Sequence, residues 1–175
     1  RPQSRMSRLG DAAAEALQEA RETGMLGSEQ QPALLLNLGN VLSDRYERDP
    51  RNRHDLDAAI ECYAEAVRLL EGHGPDAVTA ASNYAGSLKD RYRRDGRTSD
   101  LDEAIAVLQR ALRVASAESP GLALPFDALA GALLTRFEAT TDFADLSAAI
   151  TAYADALARV APDDPDRPAY LHNQA

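Results

Sequence analysis

The segment "LDAAIECYAEAVRLL" at Leu56 returns 45 residues later as "LDEAIAVLQRALRVA" at Leu101, and after another 45 as "LSAAITAYADALARV" at Leu146. A fixed internal period constrains a chain more than composition does, because every copy must fold alike and bury its apolar face on a neighbour. A fainter copy, "GDAAAEALQEA" at Gly10, lies 46 residues before the first. A second set of segments travels with these: "LLNLGNVLSDRY" from Leu35, "ASNYAGSLKDRY" from Ala81 and "FDALAGALLTRF" from Phe126. "LHNQA" at Leu171 opens a fourth copy of that set.

Both sets have helical periodicity. In the B set, apolar residues fall at Leu56, Ala59, Ile60, Tyr63, Ala66, Val67 and Leu70, with the same offsets at Leu101 and Leu146. Steps of three and four put them on one face of an α-helix. The A set repeats the pattern at Leu35, Leu38, Gly39, Leu42 and Tyr46, then from Ala81 and from Phe126. Small residues recur where helices would approach most closely: Gly39, Ala85 and Ala130 on A, and Ala20, Ala66, Ala111 and Ala156 on B. Packed interiors tolerate little added volume at such points. The expected fold is all-α, a right-handed α-solenoid of antiparallel helix pairs with about three full repeats and half-repeats at both ends. Its expected segments are a half-repeat over 8–31, repeats over 32–75, 76–121 and 122–165, and the start of a further A helix over 166–175. On this reading the chain begins inside one repeat and ends inside another, as a fragment of a longer protein would.

Between A and B lies a charged phrase, "DRYERDPRNRHD" in the first copy and "DRYRRDGRTSD" in the second. Pro50 or Gly96 would stop the A helix there. Asp55, Asp100 and Asp145 are suited to N-cap the B helices, and Asp100 with Glu103 makes a capping-box pattern. Arg45, Arg91 and Arg136 are placed to reach those aspartates and hold the hairpin angle by fork-to-carboxylate contacts.

The order Leu38-Gly39 on A, then Leu56, Ala59, Ile60, Tyr63 and Ala66 on B, resembles the tetratricopeptide repeat, over nearly the whole chain. The period departs from that family's usual 34 residues. The extra length sits in the A-to-B phrase and in B-to-A linkers such as "EGHGPDAVT", and the usual proline is displaced to Pro75, Pro120 and Pro165. With "DLDEAI" and the "PDRPAYLHN" linker, the chain looks like a long-period subtype found in actinobacterial and fungal multidomain proteins. There it accompanies caspase-like CHAT protease domains or signalling NTPases.

The resemblance implies that A helices line a concave groove. Its candidate contacts here are Asn37, Asn40, Ser43 and Asp44 in the first copy, then Ser82, Asn83, Gly86, Lys89 and Asp90. The third copy offers Asp127, Ala128, Gly131 and Thr135, and Asn173 opens the fourth. An Asn amide donates and accepts at once, which suits the backbone of an extended peptide. The same amides could instead bond neighbouring helices and fix repeat register. Lys89 is the sole lysine against 18 arginines, so a lysine-built carboxylate clamp is not expected.

Charge and motifs narrow the function further. Net charge is −9, from 19 basic and 28 acidic residues, whereas a duplex-binding domain presents a basic surface. Nucleic acid is disfavoured, the cluster Arg91, Arg93, Arg94 and Arg97 being the one local exception. No stretch approaches the roughly 20 apolar residues of a membrane span. The single cysteine, Cys62, excludes an internal disulfide and a Cys-based zinc site. It sits where the other copies hold Val107 and Ala152, as a small core residue would, rather than as a nucleophile served by His54 or His73. No phosphate loop, calcium loop or nucleophile elbow is present, so no enzyme, metal or cofactor is expected.

The expected function is a cytoplasmic protein-interaction scaffold binding a peptide, or another domain of its own chain. The alternatives are a regulatory arm of a protease or NTPase encoded elsewhere in the protein, and self-association through exposed terminal half-repeats.

Overall fold

The computed structural model describes residues 12–160 other than 13, 17, 20, 21, 24–28, 72, 73 and 116–120. Among these residues every regular element is a helix. The chain divides into two compact units, Arg1–Glu71 and Gly72–Ala175.

The first unit holds α1 (Gln31–Arg48) and α2 (Arg53–Leu70), together with helical residues between 12 and 23. The second holds α3 (Pro75–Asp95), α4 (Thr98–Val114), α5 (Ala123–Thr140) and α6 (Phe143–Ala158). Helices α1, α3 and α5 carry the A segments, and α2, α4 and α6 the B segments. Each A helix packs on the B helix that follows it; within the second unit α5 also packs on α4 and on α3.

The cores are the apolar stripes of the repeat. Leu35, Leu38, Leu56, Ala59 and Ala66 are buried in the first unit, and Ala81, Leu88, Leu101, Ala104 and Leu108 in the second. Gly39, Ala85 and Ala130 on the A helices are all buried, as are Ala66, Ala111 and Ala156 on the B helices. Ala20 lies outside the described residues. Cys62 is buried in the slot that Val107 and Ala152 fill in the other copies. One stripe position breaks the pattern: Ile60 and Ile105 are 5% and 4% exposed, whereas Ile150 on α6 is 60% exposed.

The charged phrase forms the turns. Helix α1 stops at Arg48, one residue short of Asp49 and two short of Pro50. Helix α3 stops at Gly96, left-handed at φ 72°, whose N–H closes on the Tyr92 carbonyl at 2.7 Å. Helix α5 ends in the same way at Thr141, φ 59°, closing on the Phe137 carbonyl at 2.7 Å. A β-branched residue is strained in that conformation, which glycine adopts freely. Thr141→Gly is therefore expected to stabilise the protein by about 1 kcal/mol, read as a rise in the urea midpoint.

The B helices begin earlier than the sequence predicts. Their N-caps are Asn52, Arg97 and Asp142, so Asp55, Asp100 and Asp145 are each the third helical residue. Each aspartate N–H bonds to the carbonyl of its N-cap residue, at 3.2, 3.0 and 3.0 Å. Asp142 is the one N-cap among these whose side chain caps, accepting from the Ala144 N–H at 2.9 Å. The Asp100–Glu103 capping box does not form, because Asp100 already lies inside the helix. First-turn carboxylates still favour the positive end of the helix dipole.

Candidate partner-binding site

All three predicted staples form. Arg45 Nε lies 3.1 Å from Asp55 Oδ2. Arg91 grips Asp100 with two bonds, Nε to Oδ2 at 2.9 Å and Nη2 to Oδ1 at 2.8 Å. Arg136 does the same to Asp145 at 2.8 and 2.6 Å, and its Nη1 reaches Asp102 on α4 at 2.8 Å. All three aspartates are buried. The Arg136 bonds hold the Asp145 carboxyl below the usual range, against its partial desolvation. These residues fix how A meets B.

The predicted groove residues separate into two groups. On α1, Asn37, Asn40 and Asp44 are exposed and follow one stripe at steps of three and four. The Tyr63 hydroxyl of α2 donates to Asn40 Oδ1 at 2.8 Å. Burial, followed by the nearby Asp44 carboxylate, pushes the Tyr63 phenol well above its ordinary range, so it remains a donor. With its oxygen held by Tyr63, the Asn40 amide directs its N–H donors away from that bond.

In the second unit the corresponding residues are partly covered. Asn83, Lys89 and Asp90 are half-buried. Asp90 accepts from Arg93 at 3.0 Å. Lys89 lies against α5, its Nζ 3.5 Å from where a Cβ on Gly131 would stand. Burial lowers its ammonium pKa, and Arg93 adds to that. Ser82 and Thr135 spend their hydroxyls on the carbonyls one turn back, at 2.9 and 2.8 Å. Tyr84 donates to Glu103 at 3.1 Å, and burial followed by the Glu103 charge raises its phenol to about 12. Asn173 lies outside the described residues.

The arginine cluster is occupied by carboxylates. Arg91 holds Asp100, Arg93 holds Asp90, and Arg94 forks onto Asp95 at 3.0 and 2.8 Å, with Arg97 3.8 Å from the same carboxylate. His54 stands eight helical residues before Cys62, about 12 Å along the axis, beyond the reach of a nucleophile–base pair. Among the described residues no three His, Cys, Asp or Glu side chains gather as a metal site, and no helix is long and apolar enough to cross a membrane.

Sequence reasoning did not find a cavity of about 500 Å³ in the first unit. Buried Ala14, Leu38, Leu42 and Cys62 form its floor beside half-buried Ala58, and Glu15, Glu19, Glu22 and Glu61 its acidic rim. Arg45 and His54 also line it; Asn37, Asn40 and Asp44 do not. Neither a scan against protein-family models nor a search of curated proteins returned a match for the chain.

Proposed function

We propose that this chain is a non-catalytic interaction scaffold, a right-handed α-solenoid of tetratricopeptide-like helix pairs, which binds a peptide segment or another domain through its A-helix face. The observation that carries this reading is the exposed Asn37–Asn40–Asp44 row, whose Asn40 is held by the Tyr63 hydroxyl while the opposite side of α1 is buried. Polar groups spaced along a helix and left uncovered suit the backbone of an extended ligand. The pairing of the Arg91–Arg97 cluster with carboxylates supports a protein ligand over nucleic acid, since paired guanidinium groups release few phosphate counterions. A single buried thiol at Cys62, in no internal disulfide, suits a reducing, cytoplasmic setting.

Panning a displayed peptide library against the 175-residue chain tests the reading. A consensus peptide is expected to emerge and to bind the Asn37→Ala/Asn83→Ala variant roughly tenfold more weakly, a loss near 1.4 kcal/mol, with helical circular dichroism unchanged. Equal binding to both proteins would remove the A-helix face as the site.

The exposed Ile150, Phe143 and Leu124, at 60%, 73% and 66%, favour self-association as the second reading. Service as the regulatory arm of a protease or NTPase fits the same surfaces and rests on the family resemblance alone.

A further inference from the structure

We propose that the first unit carries a second recognition site, a groove that takes a basic, apolar segment of a partner protein. It is the acidic-rimmed cavity of about 500 Å³, within the range of sites that enclose several side chains. The α1 residues in its wall, Leu38, Leu42 and Arg45, lie on a different side of the helix from the Asn37–Asn40–Asp44 row, so the two surfaces are separate.

The apolar and charged parts of the cavity ask for different things. Leu38, Leu42 and Cys62 form a buried apolar floor, and half-buried Ala58 is the apolar side chain of the lining that an aliphatic group can cover. Glu15, Glu19 and Glu22 stand at steps of four and three along one helix, a row about 10 Å long. Glu61 of α2 faces the same space. Among the described lining residues the basic side chains are Arg45, which is committed to Asp55 at 3.1 Å, and His54. Glu22 accepts from Gln18 at 2.8 Å, a neutral donor. A row of that length matches successive arginine or lysine side chains on one segment better than it matches a single ammonium. Charge complementarity of this kind sets partner choice and speeds encounter.

The test uses the full 175-residue chain and a short labelled peptide alternating leucine and arginine, followed by fluorescence anisotropy. Its glutamate-for-arginine counterpart and free spermidine serve as comparison ligands. The arginine peptide is expected to bind at least about tenfold more tightly than either and to weaken with added salt. Glu19→Gln/Glu61→Gln, two exposed positions, should weaken it by a similar factor. Asn37→Ala/Asp44→Asn should leave it unchanged. Equal binding of the two peptides, or indifference to the glutamine pair, would overturn the proposal. Loss on Asn37→Ala/Asp44→Asn would return the ligand to the A-helix face. Spermidine binding as tightly as the peptide would assign the groove to a free polycation. Dimerisation abolished by the glutamine pair would assign it to a second copy. Each of these last three results also overturns the proposal.

Discussion

Arg136→Ala is expected to destabilise the second unit by about 3 kcal/mol in urea unfolding at neutral pH. The expected size follows from what the substitution leaves behind. Asp145 is 6% exposed and takes two bonds from this one guanidinium. Alanine would strand a desolvated carboxylate and also release Asp102 on α4. Arg136→Lys keeps the charge but not the fork, and should fall between wild type and alanine. Arg136→Ala/Asp145→Ala should recover part of the loss, because the stranded charge is gone.

The pH dependence has a definite sign. The folded Asp145 pKa lies below its unfolded value. The stabilisation is therefore present above the unfolded carboxyl pKa and is lost as pH falls through the folded one. Wild type and Arg136→Ala should consequently converge in stability on acidification. A neutral-pH loss under about 1 kcal/mol would mean that the pair is solvated like an ordinary surface bridge.

Gly39→Ala is expected to cost about 2 kcal/mol, although alanine is the better helix former by nearly 1 kcal/mol. A Cβ at this position would stand 2.6 to 2.9 Å from three ring atoms of Tyr63. That ring is 2% exposed and tied to Asn40, so it has little room to give. Gly86, one residue further along the same register in α3, is the internal control. Nothing lies within 4 Å of a Cβ there, and Gly86→Ala should be stabilising. The second copy suggests the rescue, since it pairs Ala85 with Leu108, both buried. Gly39→Ala/Tyr63→Leu should therefore regain stability over Gly39→Ala alone. If Gly39→Ala raised the melting temperature, the Tyr63 ring would have to move freely and the close fit would be disproved.

The helices and their buried faces were legible in the sequence because three copies register the same apolar offsets. The Arg45–Asp55, Arg91–Asp100 and Arg136–Asp145 contacts were legible for the same reason. The caps were not: the residues three positions upstream, Asn52, Arg97 and Asp142, are chemically unlike, while the aspartates recur and draw the eye. Periodicity also names a face without saying what covers it. Ile60, Ile105 and Ile150 read alike, yet the last is exposed. The cavity escaped because its lining comes from three separated segments, 14–22, 38–45 and 54–62, whose periodicity marks the faces that pack but not the space left between them.

Copies this similar create a hazard while the chain is still folding. An arginine at the end of any A helix can satisfy the aspartate of any B helix, so the ion pair cannot tell correct partners from wrong ones. Repeat proteins are prone to such cross-pairing. Gly39 is a partial exception: the Tyr63 ring fits beside its bare Cα and would press on a methyl group there, although the third copy sets Tyr153 in register with Ala130. A misfit penalty against the wrong neighbour is worth as much to fidelity as an attraction to the right one. On that view the glycine of the first helix pair makes the fit of Tyr63 against α1 particular to that pair.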